Sequence, residues 1–507
     1  MLAKTESIAI VGTEARLVDV EVDVGTGLPA FRVVGLAAKS ITEAEQRTRS
    51  ALMASGFRWP PHRMVANLAP AALPKEGTHF DLPIALGMLV GDDRLSQEAL
   101  ADWVVMGELA LTGRVRPVRG VLAAAIACRE AGRDRLMCPA ANAAEAAVVE
   151  GLEVAPVRTL AECIRYLKGE EGLQGIPDPI PPAERDVDDL REVRGQQNAK
   201  TALLIAAAGG HNLLFYGPPG AGKTMLARRL PGVLPEMSVE ESLEVTRIYS
   251  VAGLLAERAS LITERPFRTP HHNVSMAGLL GGGHGLARPG EVSLAHHGVL
   301  FLDELPFYKS DALEGLRAPV EDGSIRIARS GGAVKFPCRF SLVAAMNPCP
   351  CGFAGDQLKP CTCSDHERQR YGSKLSGPLI DRLDMQVDVG RPSEEELLSE
   401  PTGPSSEEVR ARVTEARELQ TRRYGTSLLV NGTVPRRKLN PYLHLTKAAR
   451  SELRSSIPAM ALSGRAVNRI LRLARTIADL QRSREVDGSH ILDAITLRAS
   501  DRLLEAA

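Results

Sequence analysis

The chain has 507 residues, too many for one hydrophobic core, and about three domains is the natural division. Its 62 basic and 62 acidic side chains cancel, which excludes a nucleic-acid-like charge over the whole chain and confines any DNA contact to a local patch. No stretch is apolar over a bilayer's thickness, and no basic head with apolar block and cleavage site opens the chain, so the expected location is cytoplasmic, away from membranes.

Residues 1–168 alternate β-type runs (Ser7 to Val11, Leu17 to Val22, Phe31 to Val34, Val65 to Leu68) with helical ones (Thr42 to Ser55, Leu82 to Leu89), predicting a compact α/β domain. Residues 169–185 hold the run Gly172 to Pro182, whose glycines and prolines continue neither helix nor sheet and read as a linker. Residues 186–392 mix strand and helix patterns, and 393–507 are almost wholly helical. The expected class is α/β, a P-loop ATPase core with an α-helical lid and a preceding α/β domain.

The core's decisive segment is GPPGAGKT, Gly217 to Thr224, between the apolar run Leu213 to Tyr216 and a helical continuation from Met225. Glycines that bridge a strand to a helix N-terminus expose backbone N–H groups to phosphates. Gly217, Pro218, Pro219, Gly220, Ala221, Gly222, Lys223, Thr224 and Met225 are therefore the expected ATP cradle. Lys223 would neutralise β/γ charge, and the Thr224 hydroxyl would meet Mg²⁺. Downstream, Val299 to Leu302 form a buried-type strand ending at Asp303 and Glu304. Asp303 would hold Mg²⁺ and Glu304 would polarise the attacking water, which makes the expected chemistry hydrolysis. A third strand, Phe340 to Met346, ends at Asn347, a candidate γ-phosphate sensor.

Between these motifs, Gly323 to Arg339 alternates around a turn at Ser330 to Gly332 and carries Arg326, Arg329, Lys335 and Arg339 with no acid. Such a basic hairpin could follow a DNA phosphate backbone without reading sequence; an ordinary solvated hairpin is the alternative. Four of the eight cysteines, Cys349, Cys351, Cys361 and Cys363, form two C-x-C pairs. In a reducing compartment they favour structural, tetrahedral Zn²⁺, with a metal-free loop as the alternative. Arg465, Arg469, Arg472 and Arg475 recur at helical spacing opposite an apolar face, a stripe that would face either the nucleotide and a neighbouring subunit or solvent.

Asp189 to Thr224, Arg268 to His272, Gly281 to Gly283, Pro289 to His296 and Ser376 to Asp384 together resemble the magnesium-chelatase-like AAA+ ATPases, and more closely their bacterial YifB/ComM branch. The resemblance implies a homo-oligomeric ring, usually a hexamer, with ATP between subunits, Arg382 as the finger reaching a neighbour's γ-phosphate and Arg465 as a second sensor. It also implies a helicase that promotes branch migration on single-stranded and branched DNA during natural transformation, beside recombinase machinery. A chelatase-type ATPase subunit serving metal insertion and an ATP-dependent protease or unfoldase are the competing readings. The second arises because Lys75 to Ala85 and Leu111 to Gly120 resemble the proteolytic domain of Lon. The Ser/Lys dyad of Lon, however, falls at His79 and Leu122, neither of which can replace it.

Overall fold

A computed structural model describes residues 1–35, 43–176, 188–256, 260–283, 285–329, 332–356, 358–374, 377–380, 382–400 and 403–498. Part of the expected linker, the hairpin turn at Ser330 and Gly331, and Ser376 and Asp381 lie outside these residues.

The N-terminal strands run longer than their apolar cores suggest. In β1 (Leu2–Val11) and β2 (Glu14–Gly25), Val18, Val20, Val22 and Val24 point inward while Asp19, Glu21 and Asp23 alternate outward, and the ladder runs in register from Leu2↔Asp23 to Val11↔Glu14. With β3 (Ala30–Val34), β4 (Arg63–Ala69), β5 (Val104–Val105), β8 (Arg135–Pro139) and β9 (Glu153–Val157) they form a seven-stranded mixed sheet, ordered β3-β4-β2-β1-β5-β8-β9. A small hairpin, β6 (Glu108–Leu109) and β7 (Val115–Arg116), stands apart. The helix Asp81–Gly91 is buried along its whole length. At the two Lon-like positions, His79 is buried with its ring on the Ile8 carbonyl at 2.7 Å, its pKa lowered to about 4 by burial, and Leu122 is fully buried. Lys75 is spent on the Gly35, Leu68 and Pro70 carbonyls.

The second sheet holds β10 (Leu213–Tyr216), β11 (Phe267–Arg268), β14 (Val299–Leu302), β17 (Ser341–Met346) and β18 (Met385–Asp388), all parallel, in the order β11-β14-β17-β10-β18. The short apolar runs of the three central strands, β14, β17 and β10, are what a sheet covered on both faces requires. Two smaller ribbons complete the strands: β12 (Gly281–Gly282) with β13 (Arg288–Pro289), and β15 (Ser324–Arg329) with β16 (Gly332–Pro337). Helices 406–424, 447–459, 464–480 and 488–496 make the C-terminal region, which shares one hydrophobic core with the face of the sheet behind the phosphate loop. Among the described residues no helix is long and apolar enough to cross a membrane.

The two sheets are joined by polar contacts. The Ser250 hydroxyl donates to the buried Glu145 carboxylate at 2.6 Å, the Gly120 amide to the Ser250 carbonyl at 3.1 Å, and the Leu286 amide to Glu76 at 2.7 Å.

Candidate functional site

The phosphate loop leaves the C-terminal end of β10 and enters the helix Lys223–Val233. Gly220 and Gly222 have φ of +78° and +92°, which only glycine adopts at little cost. Gly217 is required for a different reason: a Cβ there would stand 2.1 Å from the Val389 carbonyl. Pro219, Gly220 and Met225 face solvent while Ala221 and Lys223 are buried, so the loop lies open over a closed base. Gln196, which the sequence did not single out, ties this base together by donating to the Gly390 carbonyl at 2.6 Å and the Ala221 carbonyl at 3.3 Å.

Parallel strands deliver the other groups to the same edge, because β17 runs beside β10 and β14 beside β17. Lys223 Nζ donates to the carbonyls of Gly217 at 2.6 Å and Pro218 at 2.9 Å, and to Asn347 Oδ1 at 3.0 Å. The Thr224 hydroxyl donates to Asp303 at 2.8 Å. Glu304 follows with φ +52°, left-handed backbone at a non-glycine residue of the kind that collects at working sites. Its carboxylate lies 3.8 Å from His272 Nδ1, a neighbour that the strand pattern could not supply because His272 follows β11, three strands from β10. Lys223, Thr224, Asp303 and Asn347 thus converge on the phosphate loop, with Glu304 adjoining through its amide, which donates to Asp303 at 2.9 Å. Hydroxyl and carboxylate oxygens at 2.8 Å are the hard donors that Mg²⁺ takes.

Burial lowers the Lys223 pKa to about 8, with Asp303 opposing the shift. A triphosphate favours the ammonium and raises that pKa again, so nucleotide binding is expected to take up a proton above pH 8. Affinity should then fall by up to about tenfold per pH unit, which calorimetric titration in two buffers of different ionisation heat measures directly.

Arg382 and Arg465 lie elsewhere. Arg382 precedes β18, whose first residue pairs with Leu213 at the start of β10, so it stands about 13 Å of extended chain below the phosphate loop, at the N-terminal edge of the sheet. There Asn212 binds the Arg382 carbonyl at 3.2 Å, and the buried Asp384, held down at about 2 despite its burial, meets His211 and Arg469, the latter at 3.0 Å. Arg465 is exposed one helical turn before Arg469 and belongs to the same end of the molecule.

The rest of the arginine stripe points inward, which corrects the expectation of a stripe facing nucleotide, neighbour or solvent. Arg472 donates to the Gly432 and Val434 carbonyls, and Arg475, 1% exposed, to Asp479 and three carbonyls. Asp479 also receives Arg423, so the lid's interior is charge-paired.

In the β15–β16 hairpin, Ile325, Ile327, Val334 and Phe336 pack inward while Arg326, Arg329 and Lys335 are exposed. Arg326 stands directly across from Lys335. Like charges opposed across strands are destabilising, so this face carries a cost that folding does not explain. Arg339 does not share it: this residue lies past the hairpin, where its carbonyl accepts from the His297 amide. The hairpin's Val334 in turn abuts Gly12, in the turn between β1 and β2.

The four cysteines gather beside the phosphate loop, with all Sγ atoms within 4.8 Å of one another. Cys349 and Cys351 are 3.3 Å apart and each lies 3.6 Å from Cys361. Tetrahedral Zn²⁺ with bonds of about 2.3 Å asks for sulfurs roughly 3.8 Å apart. Backbone amides of Cys351, Ala354 and Cys363 donate to the sulfurs at 3.3–3.4 Å, as thiolate ligands require. Amide hydrogen bonds, Thr362 first, pull Cys351 down to about 5, while desolvation pushes Cys363 up to about 12. This loop touches the site, since a Cβ on Gly352 would stand 2.5 Å from Pro219. A second cluster, Glu244, His296 and His297, suits a cation less. The His296 Nδ1 lone pair accepts the Arg339 amide, so Nε2 carries the proton and donates it to Glu244.

Comparison with known proteins gives the family. Residues 189–397 match the family described as magnesium chelatase, subunit ChlI; residues 20–142 match subunit ChlI of Mg-chelatase, and 403–498 its C-terminal region. The competence protein ComM of Haemophilus influenzae is 41% identical over 513 residues, covering 99% of both chains. An uncharacterized protein of Mycobacterium tuberculosis is 44% identical over 94% of this chain and 95% of its own. The magnesium-chelatase 38 kDa subunit of Rhodobacter capsulatus is 24% identical over 63% of this chain and 89% of its own. The chain belongs to the magnesium-chelatase-like AAA+ ATPases, in their ComM/YifB group.

Proposed function

Proceeding from that membership, we propose that the protein is a ring motor on DNA, a helicase that drives branch migration when incoming single strands recombine in natural transformation. The observation that carries the DNA part is the exposed Arg326/Lys335 pair, two like charges held opposite each other on a braced hairpin. A phosphate backbone between them would relieve the repulsion without any sequence being recognised. Likeness to a relative named as a competence protein supports the pathway.

In each site Lys223 and the loop amides would bind the triphosphate, and Thr224 and Asp303 would hold Mg²⁺, which supplies charge neutralisation when bound. Glu304 would accept a proton from the attacking water, and Asn347, tied to Lys223, would orient the γ-phosphate and that water. The same chain cannot bring Arg382 and Arg465 to its own loop, because both lie at the opposite end of the sheet. They would complete the site of a neighbouring copy, as in a closed ring, with six copies the usual number in the family. The cysteine loop would bind one structural Zn²⁺ and brace the wall formed by Pro219 and Asn347.

Displacement of a labelled strand from forked or three-stranded DNA, with ATP and Mg²⁺, tests the reading. Wild type is expected to unwind, and Lys223→Ala and Arg326→Ala/Arg329→Ala to lose unwinding, the latter while still hydrolysing ATP. Hydrolysis by wild type that neither unwinds DNA nor responds to it would return the chelatase-type role to the front.

A further inference from the structure

A finger that serves a neighbour must project outward, yet Arg382 is folded inward. Its guanidinium Nη2 lies 2.8 Å from Glu321 Oε1, and the arginine side chain is 8% exposed against 53% for the glutamate. An arginine paired with its own subunit's carboxylate in a partly desolvated site is not free to neutralise a phosphate elsewhere.

Glu321 occupies the last turn of the helix Arg317–Asp322, three residues before β15 begins. The joint between them is short and closed. Gly323 turns with φ +61°, and its carbonyl accepts the Cys338 amide at 2.9 Å, which clamps the base of the hairpin to the end of that helix. A pull on the basic hairpin therefore reaches Glu321 through covalent backbone and one hydrogen bond, with no flexible segment between.

We propose that Glu321 is the positioning residue of the finger: it holds Arg382 retracted until a strand loaded on the hairpin shifts it, so that hydrolysis at one site is licensed by DNA on the adjoining subunit. The proposal rests on Arg382 acting across the interface. Coupling of this kind costs the unloaded ring activity that removal of the carboxylate should return.

The test measures ATP hydrolysis by the full-length protein with and without single-stranded DNA. Glu321→Gln is expected to raise the DNA-free kcat at least about fivefold and bring the stimulation ratio close to one, with KM for ATP nearly unchanged. Glu321→Lys, which repels the guanidinium, should move both readouts further the same way, and Glu321→Asp should fall between wild type and Glu321→Gln. A purely structural glutamate would lower thermal stability without changing the ratio of the two rates. Wild-type rates and stimulation in both Glu321→Gln and Glu321→Lys, with Arg382→Ala inactive, would overturn the proposal and leave the finger standing. Full activity in Arg382→Ala would overturn both.

Discussion

Lys223→Ala and Arg382→Ala are each expected to abolish ATP hydrolysis, and mixing the two inactive proteins is expected to restore part of it. On the proposed reading the first would lose the ammonium that binds the triphosphate. The second would lose transition-state charge stabilisation worth about a thousandfold or more in phosphoryl transfer. Their positions explain the rescue: Lys223 sits at the C-terminal edge of the second sheet, and Arg382 precedes β18 at its N-terminal edge. In a mixed ring some interfaces pair an intact loop from one variant with an intact arginine from the other, roughly a quarter of them at equal mixing. Steady-state hydrolysis across mixing ratios should therefore peak near equimolar. A flat line at the background rate would mean that the two residues do not meet across an interface. Because Arg465 lies beside Arg469 at the same edge as Arg382, Arg465→Ala should also be rescued by Lys223→Ala and not by Arg382→Ala.

Stripping the metal from the cysteine loop is the second large effect. One Zn²⁺ per chain is expected by elemental analysis, and a strong chelator or Cys349→Ser/Cys361→Ser should release it. Apparent binding energies of structural zinc sites, on the order of 10 kcal/mol, are folding energy for the loops they organise. Here the loop packs on Pro219 through Gly352, and Asn347 is only two residues from Cys349. Loss of the ion should accordingly lower the melting temperature and weaken nucleotide binding together, both recovering when Zn²⁺ is returned. A protein that keeps its melting temperature and nucleotide affinity after complete removal of bound metal would show that the loop does not brace the site.

The histidines of Arg268 to His272 illustrate why part of the site was hidden in the sequence. His272 stands 3.8 Å from Glu304 only because β11 and β14 are neighbours in the sheet, while 31 residues of helix, ribbon and loop intervene along the chain. Arg339 is a different case. It closes a segment that carries four basic residues and no acid, yet the hairpin's second strand ends at Pro337 and leaves it at the base. The stripe from Arg465 to Arg475 has a strong helical period, but periodicity gives a face and not its environment. Here carbonyls and Asp479 line the side that charge alone would assign to solvent.

What the sequence determined by itself is the chemistry of contiguous groups. Between Gly217 and Thr224 short covalent spacing forces the backbone into one cradle, and two C-x-C pairs separated by a turn have few ways to avoid each other, so the nucleotide loop and the thiol cluster were legible as strings. The tertiary structure decided which end of the molecule each group occupies. Strand order places β10 between β17 and β18, gathers Asp303, Glu304 and Asn347 at one edge, and sends Arg382 and Arg465 to the other. That order arises from burial of apolar strand faces far apart in the chain, a non-local condition that no motif contains.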